Sequence, residues 1–117
     1  MYLELAAVAA AEPGDAARNV AAANAVLAGI AASDAICCVR LNKRHRGQDH
    51  QGAIALLGTV QPNGQTLAAF LATILSVKDT SYYGETFIGD AKLKATMRAA
   101  ARLVDAAELV ISRMSTV

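Results

Sequence analysis

Apolar positions recur along the first long stretch of the chain at the spacing of an α-helix. The apolar residues separated by three, four or seven positions are Val20, Ala23, Leu27, Ile30, Cys37 and Leu41. Such spacing places side chains on one face of a helix. Asp15 precedes the stretch and is a residue type that caps helix N-termini. The pattern therefore predicts a long helix from Asp15 to about Arg40.

The C-terminal stretch has a more regular pattern, in which spacings of four and three alternate. Its apolar positions are Leu93, Met97, Ala100, Val104, Ala107, Ile111 and Met114. This alternation is typical of a helix that packs along another long helix at a shallow angle. We therefore predict a closing helix that begins at Asp90 or its neighbour and packs against the first long helix.

Three shorter helices are predicted before and between these two. Their bounds are Tyr2 to Ala11, about His50 to Val60, and Thr66 to about Asp79. Pro13-Gly14 ends the first, Asp49 is the expected N-cap of the second, and the turn at residues 61–64 precedes the third. The whole pattern predicts an all-α fold: an up-and-down four-helix bundle plus a short N-terminal helix.

Composition agrees with a single helical domain and limits its partners. Alanine, the residue with the highest helix propensity, accounts for 27 of the 117 residues. The length fits one continuous core. The formal net charge is only +1, so any affinity for nucleic acid has to come from a local patch. We expect one domain over residues 1–117.

The chain lacks the features of an exported or membrane protein. The N-terminus Met-Tyr-Leu-Glu has neither the basic start nor the apolar core of a signal peptide. The most apolar stretch, Ala16 to Val39, is interrupted by charged and amide side chains, which predicts no membrane span. Adjacent Cys37 and Cys38 would form a strained disulfide, so we expect reduced thiols that pack as small hydrophobes in a cytoplasmic protein.

One segment contains no apolar residue and carries an excess of positive charge. Residues 42–49 have the sequence Asn-Lys-Arg-His-Arg-Gly-Gln-Asp. With the residue that ends the preceding helix, this region holds four of the eleven Lys and Arg residues: Arg40, Lys43, Arg44 and Arg46. A solvated helix end is one interpretation, since helix C-termini favour cations. A phosphate-binding patch, to which His45 would also belong, is the other.

Several short runs occur in an order that resembles a known family of helical bundles. These runs are Ser33-Asp34-Ala35-Ile36, Gly47-Gln48-Asp49-His50, Ala55-Leu56-Leu57, Lys78-Asp79, Tyr82-Tyr83-Gly84, Asp90-Ala91 and Ala99-Ala100-Ala101-Arg102-Leu103-Val104. Their order, over roughly residues 20 to 112, resembles HEPN-domain proteins. The resemblance implies a homodimer without cofactor that acts as a metal-independent ribonuclease with an antitoxin partner. It equally allows a non-catalytic module that binds a nucleotidyltransferase or nucleic acid.

Catalytic members of that family carry an Arg-x(4–6)-His motif, and two copies meet at one cleft of the dimer. Arg44 and His50 fit this spacing, as do Arg40 and His45. His50 lies at the predicted start of a helix, where the dipole disfavours an imidazolium. An uncharged imidazole there could take the proton from a ribose 2′-hydroxyl while Arg44 stabilises the charge on phosphate. A histidine that opens the helix and hydrogen-bonds the preceding loop is the alternative interpretation.

Three more residues are candidates for supporting roles. Asp34 lies among apolar positions and is expected to form an ion pair or to orient a catalytic side chain. The candidate partners of its carboxylate are Arg40, Lys78, Arg102 and a tyrosine hydroxyl. Asp49 either competes with phosphate for the helix N–H groups or orients His50. Tyr82 either packs the end of the bundle or stacks on a base. No Cys, His or Asp spacing matches a metal site.

Overall fold

The computed structural model describes residues 15–43, 49–77 and 89–115. Within these ranges the chain forms four α-helices and no strand, so the predicted all-α class is confirmed. The helices are α1 (Asp15–Leu41), α2 (His50–Gly58), α3 (Gly64–Leu75) and α4 (Asp90–Ser115). The short helix predicted from Tyr2 to Ala11 lies outside the described residues.

The two long helices, α1 and α4, form the most extensive contact of the bundle. α1 contributes mainly small side chains to the core, and α4 contributes larger ones. The fully buried positions in this contact include Ala21, Ala22, Ala25 and Val26 from α1, and Thr96, Ala100 and Leu103 from α4. Alanine lets two helices approach closely without loss of side-chain rotamers. α3 packs against both long helices and completes the core with Leu71 and Ile74.

The buried face of α1 overlaps the predicted apolar stripe only in part, because Cys37 is buried and Ile30 and Leu41 pack against the core, whereas other members do not. Val20 and Leu27, two large members of the predicted stripe, are 53% and 39% exposed. The α1 side chains that pack into the core between these two positions are mostly alanines. Because alanine occurs on every side of this helix and its larger apolar residues lie both inside and outside the core, the apolar spacing does not mark the core face. Close packing by α3 and α4 instead favours the face with the smallest side chains.

The stripe predicted on α4 is confirmed only for its first two thirds. Leu93, Ala100 and Ala107 are buried, whereas Ile111 and Met114 are 47% and 62% exposed. The prediction is therefore wrong for the last two turns of α4, where the predicted apolar positions are exposed.

α2 and α3 form a short helical hairpin, and its N-cap and turn are confirmed. The Asp49 carboxylate accepts a hydrogen bond from the Gln51 backbone N–H at 3.0 Å. The turn between the helices contains a cis peptide bond before Pro62. A Cβ at Gly64 would lie 2.7 Å from the Leu57 carbonyl oxygen, which explains the glycine. α3 begins at this residue and ends at Leu75, earlier than the predicted Thr66–Asp79.

The C-terminal ends of α1 and α4 lie side by side. Val39 and Arg40 of α1 line one surface pocket together with Val110, Arg113 and Met114 of α4. In a strict up-and-down bundle the first and fourth helices are antiparallel, which places these two ends apart. The helical bundle is confirmed, whereas the predicted up-and-down order is not.

One described helix has the length and composition of a membrane span. Asn19–Leu41 covers 23 residues with a mean hydropathy of 1.7, and half of its most apolar window is buried inside the molecule. The core helix of a soluble protein has the same properties. The absence of a membrane span therefore stays a prediction from the sequence.

Candidate functional site

The structure describes only part of the predicted site. Arg40 lies in the last turn of α1, Lys43 follows the end of that helix, and both side chains are exposed. Four predicted site residues lie outside the described residues: Arg44, His45, Arg46 and Tyr82. Of the proposed catalytic pair, Arg44 and His50, the structure describes only His50. That the two side chains meet in one pocket therefore stays a prediction.

His50 is the first residue of α2, as predicted, and its side chain is half-buried. The residue before it, Asp49, caps the helix through the Gln51 N–H. Free N–H groups of this kind are those that bind phosphate at a helix N-terminus. The carboxylate thus occupies one donor that a bound phosphate would use, as the sequence led us to expect. Orientation of His50 by Asp49 stays a prediction.

The structure brings Arg40 together with a second arginine that the sequence analysis missed. Arg40 and Arg113 line the pocket of about 290 Å³ between the ends of α1 and α4. The remaining described lining is apolar: Val39, Val110 and Met114. None of the described lining residues is acidic. Two arginines from separate helices therefore line one concave surface together with apolar residues.

Basic side chains and the C-terminal ends of two helices contribute opposite charges at this end of the described bundle. Each helix C-terminus carries a partial charge of about −0.5, so the two ends contribute about −1. The guanidinium groups of Arg40 and Arg113 contribute two positive charges, and Lys43 lies three residues beyond the first. Arg113 also interacts with another group of the protein.

Asp34 lies half-buried on α1, and none of the residues that the structure describes forms an ion pair with it. Neither Arg40 nor Arg102, the described candidate partners, forms a salt bridge with it. The other candidates, Lys78 and the tyrosines, lie outside the described residues. The orienting role of Asp34 therefore stays a prediction.

The two cysteines have opposite environments. Cys37 is buried and Cys38 is exposed, so the prediction that both pack as small hydrophobes is confirmed for the first and wrong for the second. The pKa of Cys37 is raised from 9.0 to about 11. Burial of the thiol is the largest cause, followed by the Asp34 carboxylate and then by Cys38. Because the thiolate is the reactive form, Cys37 is inert at neutral pH.

Two other observations concern alternative sites in the described part of the chain. No group of three or more His, Cys, Asp and Glu side chains there could hold a metal ion. A larger groove of about 480 Å³ lies between α2 and α3, and its described lining consists of small, apolar and uncharged polar residues. Of these two concave surfaces, the arginine pocket is the one whose described lining carries charge.

No family model, curated protein or solved structure matches this chain. The fold and the pocket define a class, a small all-α protein with a basic pocket at one end. The likeness to HEPN-domain proteins stays a prediction from the sequence.

Proposed function

We propose that this protein is the RNA-directed component of a toxin–antitoxin pair, with a HEPN-like bundle whose basic end binds the RNA backbone. The observation that carries the proposal is the shared pocket of Arg40 and Arg113. Lys43 follows the end of α1, and Arg44 and Arg46 come next in the sequence. Phosphate contacts by arginine and lysine supply most of the affinity of such surfaces for nucleic acid.

We further propose that Arg44 and His50 cleave the bound RNA without a metal ion. The His50 imidazole takes the proton from a ribose 2′-hydroxyl, and the 2′-oxygen forms a bond to phosphorus. The bond from phosphorus to the 5′-oxygen breaks, and the imidazolium returns the proton to that oxygen. The products are a 2′,3′-cyclic phosphate and a free 5′-hydroxyl. Arg44 stabilises the charge on the phosphate oxygens in the transition state. The resemblance implies that a homodimer brings two such pairs to one cleft.

Substitution of His50 tests the cleavage directly. Protein freed of antitoxin should cut RNA in EDTA, and His50→Ala should lower the rate at least about 100-fold, since general acid–base catalysis contributes about 10²–10⁴-fold. RNA affinity should not change. Gln51→Ala is the matched control, because Gln51 is the exposed next residue and caps only through its backbone. Wild-type protein that cuts no RNA, or His50→Ala that cuts at the wild-type rate, contradicts the cleavage.

A second candidate function is a non-catalytic interaction module that binds a nucleotidyltransferase or antitoxin. The observation in its favour is the outer face of α1, where Val20 and Leu27 are exposed. A helix that is apolar on all sides is usually buried on all sides, and contiguous exposed apolar surface marks interaction sites. This candidate expects no RNA cleavage in the same assay and no effect of His50→Ala.

A further inference from the structure

We infer that α1 carries a dimer interface on its outer side, where α1 of a second copy of the chain packs in the antiparallel direction. The interface consists of six positions that face away from the core and are separated alternately by four and three residues. We call them the outer seam: Val20, Asn24, Leu27, Ala31, Asp34 and Cys38. All six side chains are exposed or half-buried. The alternation is typical of a helix that packs along another long helix at a shallow angle.

The outer seam is poor in charge for a surface that solvent reaches. The exposed side of α4 has a charged side chain on nearly every turn: Lys94, Arg98, Arg102 and Asp105. The outer seam has one charged side chain, Asp34, whereas Val20 and Leu27 are 53% and 39% exposed. Because a helix that is apolar on all sides is usually buried on all sides, a protein partner is expected on the outer seam.

The six positions of the outer seam are arranged symmetrically about residue 29. Positions 20 and 38, 24 and 34, and 27 and 31 lie at equal distances from it along the helix. A twofold axis beside residue 29 therefore brings each position of the seam opposite another position of the seam in an antiparallel second copy. The same surface then serves both subunits, as in the interfaces of most twofold dimers.

The apolar residues that this symmetry pairs are complementary in size. Leu27, a large side chain, faces the small Ala31 of the second copy, and Val20 faces Cys38 of the second copy. In a parallel pair each residue would instead face its own counterpart. Two Ala31 side chains would then lie opposite each other and leave a gap, which weakens packing. The sizes of the side chains thus favour the antiparallel direction.

The two polar members of the outer seam also face each other in the antiparallel dimer. The Asn24 amide donates one N–H to the Val20 carbonyl oxygen at 2.9 Å, and an amide nitrogen has a second N–H. That second donor suits the Asp34 carboxylate of the other copy, with which no described residue of its own chain forms an ion pair. A parallel pair would oppose two Asp34 carboxylates, and like charges across an interface disfavour binding.

This dimer differs from the one that the family resemblance implies. It places the C-terminal ends of the two α1 helices about 36 Å apart, at 1.5 Å per residue, so the two basic ends do not share one cleft. The inference is therefore independent of the proposed RNA-directed function, and its failure leaves that function intact. One helix pair is a small interface by the standard of stable dimers, so association should be reversible and depend on concentration.

Disulfide crosslinking tests the direction of the pairing. Val20→Cys, oxidised with diamide, should form a covalent dimer through Cys38 of the second copy, because the two positions face each other. Wild type and Val20→Cys/Cys38→Ala should not form one, since their equivalent exposed thiols would lie about 27 Å apart and Cys37 is buried. No covalent dimer from Val20→Cys, or a wild-type dimer linked through Cys38, overturns the inference.

Sedimentation equilibrium tests the contact between amide and carboxylate. The wild-type chain should dimerise with a dissociation constant below about 1 mM, the value of a very weak complex. Asn24→Asp should weaken the dimer at least about tenfold, because it opposes two carboxylates at both symmetric contacts. Asp34→Asn in the same chain restores one amide and one carboxylate and should restore the affinity.

Asn63→Asp is the matched control, because it is the same substitution at an exposed position outside α1. It should leave the dissociation constant unchanged. A wild-type chain that stays monomeric up to about 1 mM overturns the inference and leaves the outer seam to a different protein. A dimer that Asn24→Asp weakens no more than Asn63→Asp does also overturns it.

Discussion

At the residue scale, neighbouring positions of α1 show how strongly a helix separates side chains that are adjacent in the sequence. Cys37 faces the core and Cys38 faces solvent, because consecutive helical residues point about 100° apart. The sequence predicted two reduced thiols without a disulfide, but it predicted that both would pack as small hydrophobes. It did not predict which thiol is buried, since that depends on the helices that pack against α1.

The buried thiol of Cys37 should make the protein less stable in alkali. The unfolded chain ionises this thiol near pH 9.0, whereas the folded protein keeps it protonated to about pH 11. The stabilising contribution is therefore complete below pH 9.0 and is lost as the pH rises towards 11. Between pH 8.5 and 10.5, the free energy of unfolding in urea should fall by about 1–2 kcal/mol more for wild type than for Cys37→Ala.

The exposed neighbour supplies the control for this experiment. Cys38→Ala should still lose stability over this pH range, because burial, the largest cause of the raised pKa of Cys37, is unchanged in that variant. Lysine and tyrosine side chains ionise in the same pH range but are shared by all three proteins. Identical pH profiles for wild type and Cys37→Ala would show that the Cys37 thiol ionises freely in the folded protein.

The features of the fold that depend on a few neighbouring residues were the easiest to predict from the sequence. The N-cap at Asp49 and the turn before Gly64 depend on side chains within a few positions of each other. A short polar side chain before an apolar run, or a glycine after proline and asparagine, is sufficient to indicate them. Burial depends on distant helices and has no comparable local signal.

At the element scale, helix bounds were predicted better than helix faces. α1 was expected from Asp15 to about Arg40 and occupies Asp15–Leu41, and α4 begins at the expected Asp90. The face of α4 was predictable up to Ala107 because large apolar residues there alternate with charged ones. On α1, alanine on every side removed that contrast.

Gly29 should be required where α1 contacts α3. A Cβ at Gly29 would overlap Cδ1 of Ile74, a fully buried side chain that would have to change its conformation. Helix propensity alone favours alanine by about 1 kcal/mol, but overpacking in a core typically costs about 1–3 kcal/mol. Urea denaturation of Gly29→Ala should therefore show a net loss of about 1 kcal/mol, and Ile74→Val in that background should restore part of it.

Gly58 provides the matched control in α2. A Cβ at Gly58 meets only the Ala68 Cβ at 3.7 Å, an ordinary contact. Gly58→Ala should therefore stabilise the protein by up to about 1 kcal/mol through helix propensity alone. If Gly29→Ala were as stabilising as Gly58→Ala, the close contact between α1 and α3 would be wrong.

At the scale of the whole molecule, the candidate site depends on how the long helices end. The basic segment around Lys43 was evident from the sequence, because charge without apolar residues is a local property. Arg113 was not, because it lies about 70 residues from Arg40 and joins it only through the packing of α4 beside α1. Its position in the last turn of a long helix was the one available signal.

The basic pocket and the exposed apolar face of α1 lie near opposite ends of that helix. The arginine pocket lies at the end of the bundle where α1 and α4 finish, and the exposed Val20 lies near the start of α1. Across the roughly 30 Å of helix between them, at 1.5 Å per residue, substitutions at one surface should act independently of the other. RNA binding and protein binding can therefore be measured separately.

The salt dependence of RNA binding tests most directly whether the basic end binds the RNA backbone. The double variant Arg40→Ala/Arg113→Ala should bind single-stranded RNA at least tenfold more weakly and lower the slope of log Kd against log salt by about 1.4, which corresponds to two lost phosphate contacts. Arg98→Ala/Arg102→Ala removes two exposed arginines from the middle of α4 and should retain both the affinity and the slope. Equal losses in the two variants, or an unchanged slope in the first, would contradict RNA binding at the ends of α1 and α4.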